Sequence, residues 1–202
     1  VGEVTVDTDK DTVVVHDGST AGGHPLATSL SDLGVTASSA ELNYNDITTL
    51  GTSQASKVVT ADSTAKVTLT GTTSIQEVIE KVDTDTSTTG TINFDCLDQA
   101  VQLYTADQTA NRTINFRGNS STTLNATLST DESITVAVAM TQGSTAYYLN
   151  TYQVDGSSVT PKWSGGTAPS EGNASGIDTY AFTIIKTAAS TYTVLASLTQ
   201  YA

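Results

Sequence analysis

The sequence predicts a mainly all-β protein: an N-terminal β-hairpin and short-helix attachment region, followed by a C-terminal β-sandwich or jelly-roll domain. Three observations predict it. The chain holds 39 Thr among its 202 residues, and β-branched side chains such as Thr favour pleated, half-buried strands over helices. From residue 90 onward, short alternating runs are separated by Gly, Asn and Asp turn signals, the pattern of a sandwich. The aromatics are segregated as well: of 8 Tyr, 3 Phe and 1 Trp, only Tyr44 precedes residue 91. Aromatic side chains supply much of the buried area of a small core, so the C-terminal part carries the core and the N-terminal part lacks one.

In chain order, residues 1–18 read as a hairpin. Val4 and Val6 alternate with polar residues, Val13, Val14 and Val15 form the return strand, 7–11 is the polar turn, and Asp17-Gly18 closes the unit. A hairpin without an aromatic needs a partner surface. Within 29–50, Ser31 can cap a short helix, or Ser38 or Ser39 can cap one running through Ala40-Glu41-Leu42-Asn43-Tyr44. Ser38 with Glu41 fits a capping box, and Gly51 is a plausible stop. Residues 57–60 and 66–70 suit two short strands. In 74–83, Ile75, Val78, Ile79 and Val82 have helical spacing behind a second capping box, Ser74 with Glu77, while Val78, Glu80 and Val82 also alternate as a strand would. Helix and strand stay open there. Residues 83–90 form a polar linker. Strands are expected at 91–95, 101–105, 112–117, 133–140, 146–153, 179–186 and 191–198. The resulting division is 1–73 as attachment and oligomerisation segment, 74–89 as connector, and 90–202 as sandwich domain.

Composition narrows the function classes. Eight Lys and Arg oppose 21 Asp and Glu, a net charge of −13, which disfavours nucleic acid because its phosphates would be repelled. No stretch reaches the roughly 18 apolar residues of a membrane span. A lone cysteine, Cys96, forms no internal disulfide and reads as a buried, inert thiol. Two histidines and one cysteine do not make a His/Cys zinc site. Asp7, Asp9 and Asp11 resemble half a calcium loop, but Thr12 and Gly18 occupy the places of its required Gly and Glu, so the segment reads as an acidic turn. His16 and His24 sit in no nucleophile motif, Asp131 and Glu132 are adjacent and so point apart, and no phosphate-binding glycine motif follows a strand. Neither a catalytic constellation nor a cofactor or metal site is expected. Asn111, Asn119, Asn125 and Asn173 each begin an N-x-S/T sequon, as composition alone can produce.

The local feature that stands out is aromatic. Tyr147, Tyr148, Tyr152 and Trp163, with Lys162 and the 164–176 loop beside them, form a candidate contact for sugar rings, because aromatic faces stack on sugars at little entropic cost. Core or subunit-interface packing is the competing reading. Tyr147 and Tyr148 are expected on one strand, one facing in and one out.

Three stretches carry a family resemblance. The unit from Gly2-Glu3 to Asp17-Gly18 resembles the N-terminal unit of bacteriophage fibre proteins. Residues 34–62, GVTASSAELNYNDITTLGTSQASKVVTAD, resemble the G-V-T-A-x-x-A-E-L-N repeat of phage tail-fibre and virion structural proteins. Residues 90–202, from GTINFD through NFRGNSSTTLN to VLASLTQYA, are similar to a C-terminal domain on structural proteins of marine cyanophages. The resemblance implies a non-enzymatic virion protein, an oligomeric fibre or surface projection, with a capsid decoration protein as the alternative. It implies a homotrimer, with other tail or capsid proteins as partners and host-surface carbohydrate as a possible ligand. Gly2, Glu3, Val4, Val6, Val13, Val15, Asp17 and Gly18 are then the attachment segment. The physics agrees, since intertwined copies supply burial that the N-terminal part lacks alone.

Overall fold

A computed structural model describes residues 2–9, 11–26, 33–50, 52–63 and 66–202. With 39% of residues in strands and 7% in helices, the chain is all-β. It divides into two units, Val1–Gln76 and Glu77–Ala202.

In the first unit, β1 (Glu3–Asp7) and β2 (Thr12–His16) form the expected antiparallel hairpin, and β3 (His24–Pro25) adds a third short strand. Asp11 takes the left-handed conformation at φ 51°, which a short polar side chain tolerates in a turn. Thr12 Oγ1 donates to the Leu26 carbonyl at 2.9 Å and ties the return strand to the segment after β3. Residue alternation puts Val14 on one face of the hairpin and Val4, Val6, Val13 and Val15 on the other. Val14 is the one buried apolar side chain among the unit's described residues, while Val4 and Val6 are 65% and 69% exposed. Helix α1 (Ser39–Asn43) starts at Ser38, where the Ser38 side chain accepts from the Glu41 N–H and the Glu41 carboxylate accepts from the Ser38 N–H, the reciprocal cap the sequence predicts. Ser31 and Gly51 lie outside the described residues.

Two expectations fail here. Residues 57–60 and 66–70 form no strands, and the region holds one isolated parallel bridge, Thr52 to Thr68. Of residues 74–83, left open between helix and strand, 74–81 form neither and only Val82 and Asp83 enter a strand; Ile79 is 94% exposed. Residues 66–70 and 74–81 are exposed throughout, and an isolated short helix or hairpin is marginal in water; in 57–60 the Val58 N–H donates to the Tyr44 carbonyl instead of a ladder.

The second unit is a two-sheet sandwich. Its strands are β4 (Val82–Asp85), β5 (Thr91–Asp95), β6 (Val101–Tyr104), β7 (Arg112–Arg117), β8 (Ser133–Thr141), β9 (Leu149–Val154), β10 (Ser157–Ser158), β11 (Lys162–Trp163), β12 (Ile177–Ala188) and β13 (Thr191–Tyr201). One sheet has the order β10-β9-β7-β5, the other β11-β13-β12-β8-β6-β4. From β4 to β9 the chain crosses from one sheet to the other at every strand. Neighbours within a sheet are therefore parallel: β4, β6 and β8 in one, β5, β7 and β9 in the other. Parallel neighbours need a long crossover, and here the strand of the opposite sheet supplies it. This coil of parallel rungs replaces the antiparallel Greek-key connectivity of a jelly roll. The β12–β13 hairpin then closes the larger sheet in antiparallel register.

The coil rests on a short internal repeat. Thr91-Ile92-Asn93-Phe94 and Thr113-Ile114-Asn115-Phe116 stack residue on residue across β5 and β7. Ile92, Phe94, Ile114 and Phe116 point inward and meet Val136, Val138, Met140, Tyr180, Phe182 and Ile184 from the other sheet in one core. Outside, Asn115 Nδ2 donates to Asn93 Oδ1 at 3.0 Å, and Arg117 pairs with Asp95 through two N–H···O contacts of 2.5 and 3.2 Å. The segment expected as a polar linker contributes a strand. β4 joins the larger sheet, and its inward residues Asp83 and Asp85 are polar, so no apolar alternation announces it. Helix α2 (Leu124–Thr127) sits in the β7–β8 connection, its first N–H groups from Leu124 and Asn125 donating to the Asp155 carboxylate at 2.7 and 3.0 Å. Lys186 is buried beneath it, its Nζ donating to the Asn125 and Leu128 carbonyls.

Candidate functional site

The aromatic cluster is assembled from β9, β11 and β12. Tyr152 and Trp163 meet edge to face with ring centroids 5.6 Å apart, and Trp163 also lies 6.3 Å from Tyr180 and 6.2 Å from Phe182. Tyr152 lies 6.0 Å from Phe182, whose ring stacks parallel to Tyr180 and packs edge-on against Phe116. Tyr180 and Phe182 are fully buried, and Tyr152 and Trp163 are half-buried, packed against the core. The Tyr152 hydroxyl donates to the Leu149 carbonyl, and the Leu149 N–H donates to the Tyr180 hydroxyl at 3.3 Å. Burial raises both phenols, Tyr152 and Tyr180, above the ordinary tyrosine range. Tyr152 and Trp163 are thus the margin of the core.

Tyr147 and Tyr148 precede β9 instead of standing on a strand. The reason is a side-chain clamp: the Gln142 amide donates to the Tyr147 carbonyl at 2.7 Å and accepts from the Tyr147 N–H at 2.9 Å, and Asn111 Oδ1 accepts from the Tyr148 N–H at 3.0 Å. These bonds occupy backbone groups that a sheet ladder would otherwise use. Gly172 closes against the same turn, since a Cβ there would stand 2.4 Å from the Tyr147 carbonyl oxygen. The structure therefore brings Tyr152 and Trp163 together and leaves Tyr147 and Tyr148 as half-buried residues of a neighbouring loop. Lys162 is exposed beside Trp163, at the rim of a shallow hollow of about 390 Å³ bounded by Ala181, Thr183, Leu195 and Ser197.

Residues of the attachment segment are organised by polar contacts at the hairpin's end. Asp17 accepts from the backbone N–H groups of Thr20 and Ser19 and from both their hydroxyls, which together hold its carboxyl well below the usual carboxylate range. His24 Nε2 stands 3.2 Å from Asp17 Oδ2, Thr5 Oγ1 lies 2.8 Å from His16 Nε2, and Gly18 takes φ 81° in the turn.

A polar cleft of about 500 Å³ opens where the edge strands β4 and β5 face each other, a feature the sequence reading did not anticipate. Asp83, Asp85, Asp95, Asn93 and Gln102 line it. Gln99 donates to Gln102 at 2.8 Å and Gln102 to Asp83 at 3.0 Å. At its base Arg112, buried, donates to the Gly90 and Ser87 carbonyls at 3.1 and 3.0 Å and to Gln108 Oε1 at 3.2 Å, with its guanidinium 4.3 Å from the centre of the Tyr104 ring. Burial lowers the Arg112 pKa and pushes Tyr104 up to about 12. The recurring polar residues at inward positions of β4 and β6 were the available signal.

Among the described residues, no group of three His, Cys, Asp or Glu side chains is placed to hold a metal ion. Cys96 is buried and its thiol pushed up to about 12, first by desolvation. The four sequon asparagines are engaged within the fold: Asn111 accepts from Tyr148, Asn119 from Ser121, Asn125 from Ser190, and Asn173 donates to the Tyr201 carbonyl.

No family model matches the chain, and no solved structure matches it. A stretch of 25 residues is 84% identical to the "Tail fiber receptor-binding protein" of Bordetella phage BPP-1. That stretch is 12% of this chain and 7% of the phage protein, so this chain spans only a small part of the relative it matches. A short segment of the chain is thus similar to part of a phage tail fibre.

Proposed function

We propose that this chain is a non-enzymatic structural protein of a bacteriophage particle, forming a homotrimeric fibre or surface projection. In this reading it is docked to other tail or capsid proteins by its N-terminal hairpin and displays the C-terminal sandwich. The observation that carries the proposal is the 25-residue stretch, 84% identical, shared with a tail fibre receptor-binding protein. The first unit supports it physically. With Val14 as its one buried apolar side chain among the described residues, that unit gains burial from other chains or goes without. The exposed Val4–Val6 face is the part of the attachment segment such a contact would cover.

Contact with host-surface carbohydrate belongs to the same proposal and falls on the sandwich. Lys162 and the accessible edge of Trp163 offer a hydrogen-bonding and stacking pair at the β11 edge of the sheet. Tyr152 contributes by holding that edge through its ring contact, and Tyr147 and Tyr148 stand apart in the loop before β9. Binding of this kind depends on stacking and changes little with salt, because a chain of net charge −13 is not drawn to an anionic surface. Antibody labelling of intact particles tests the main proposal. Labelled tails or projections are expected; particles that carry no label at any site would overturn it. Label spread evenly over the capsid would favour a decoration protein.

A further inference from the structure

The two sheets of the sandwich present very different outer faces. On the four-stranded sheet the outward side chains are amides, hydroxyls and one ion pair: the Asn93–Asn115 ladder, Gln153, and Asp95 with Arg117. This face is built for water. On the six-stranded sheet the register carries Val82, Val101, Ala137, Ala181 and Ser197 across one row, and Leu103, Ala139 and Thr179 across the next. No outward position of β4, β6, β8, β12 or β13 carries a charge; Lys162, beside Leu195 at the β11 edge, is the nearest. The charged residues of these strands, Asp83, Asp85, Asp178 and Lys186, all fall on inward positions. A chain of net charge −13 thus keeps one broad sheet face free of charge and dressed in small aliphatic and threonine side chains.

We infer that this outer face of the six-stranded sheet is where copies of the chain pack against one another. The inference rests on the homo-oligomer reading above and assigns it a surface. Charge selects the occupant. A second copy carries the same −13, so copies can approach closely only where neither must desolvate a carboxylate or face one across the contact. This face meets that condition, and the Asp95-bearing face does not. Area agrees as well: with strands ~4.8 Å apart and ~3.3 Å per residue, the face covers roughly 600 Å², near the roughly 800 Å² per partner of a standard stable interface. Small side chains in flat rows let three such faces close around one axis. The exposed Tyr201, Leu195 and Ile177, at 56%, 42% and 39%, are the larger groups such a contact would cover.

Two variants of the full chain test this. Ala181 lies at the centre of the face. In Ala181→Glu, a carboxylate at the contact is expected to reduce the mass from oligomer to single chain while the melting transition persists. An oligomeric mass unchanged in this variant would overturn the assigned face and leave the homo-oligomer reading standing. Should Ala181→Glu not fold, Ala181→Cys gives the answer by maleimide labelling, with Ala189→Cys, on the exposed β12–β13 turn, as reference. Water is excluded from the centre of an interface, so labelling at 181 is expected to be at least about tenfold slower than at 189. Equal labelling rates in an oligomer would overturn the face. Slow labelling in a protein of single-chain mass would mean that the chain's own first unit, or no copy at all, covers the face, and would overturn the inference together with the homo-oligomer reading.

Discussion

Replacing Trp163 by alanine separates a packing role from a recognition role. Its ring touches Tyr152, Tyr180 and Phe182 at centroid distances of 5.6, 6.3 and 6.2 Å. A fully buried Trp→Ala change costs about 3–5 kcal/mol, and edge-to-face pairs each add about 0.5–1.5 kcal/mol beyond area. Trp163 is half-buried, which scales the loss to about 3 kcal/mol in total. For a domain of this size that lowers the melting temperature by on the order of 10 °C. Differential scanning calorimetry of the full chain reads the shift directly. Lys162→Ala is the internal control, since an exposed substitution stays within about 0.5 kcal/mol of the parent. A Trp163→Ala protein melting within about 2 °C of the parent would refute the placement of this ring in the core margin. Host adsorption of particles carrying Lys162→Ala then tests the carbohydrate contact with folding held constant.

Further outcomes follow from named contacts. Arg112→Met leaves the buried Gln108 Oε1 without its donor and removes the bonds to the exposed Ser87 and Gly90; at about 1–3 kcal/mol for one buried unsatisfied group, urea unfolding is expected to show a loss of about 2 kcal/mol, and less than about 0.5 would mean water replaces the guanidinium. Asn115→Ala breaks the Asn93 ladder and the acceptor for the Gly156 N–H, lowering stability by about 1 kcal/mol, with Asn93→Ala smaller because one bond is lost. Asp178 is buried, and desolvation raises its pKa while one oxygen, Oδ1, lacks a hydrogen-bond partner. A raised carboxylate pKa means the folded state binds the proton more tightly, so stability falls as pH climbs from the unfolded value through the folded one. Asp178→Asn is expected to flatten that slope and to melt higher than the parent at pH 7; an unchanged difference between pH 4 and 7 would contradict the assignment.

Much of the second unit was legible because its strands bury one face and expose the other. Ile92 and Phe94, and Ile114 and Phe116, alternate with polar residues, and Tyr180, Phe182 and Ile184 alternate with Ala181 and Thr183; each alternation is a strand. The Ser38–Glu41 cap was legible because it is local. The winding was not read, although its signal is present: the repeated Thr-Ile-Asn-Phe at 91–94 and 113–116 marks two successive rungs. β4 escaped notice because its inward residues are carboxylates facing a polar cleft. Residues 74–81 misled because their helical spacing has no surface to serve. For the candidate site, sequence located Trp163 and Tyr152 as a cluster but could not show that Phe182 and Tyr180 lie beneath them. Tyr148 leaves the expected strand because the Asn111 side chain that accepts from its N–H is remote in sequence.

The homotrimer is the claim on which the fibre reading stands, and native mass tests it most directly. Light scattering after gel filtration of the full chain, at micromolar concentration and physiological salt, is expected to give three times 20.9 kDa, about 63 kDa. A mass of 20.9 kDa that persists as the concentration is raised tenfold would contradict it.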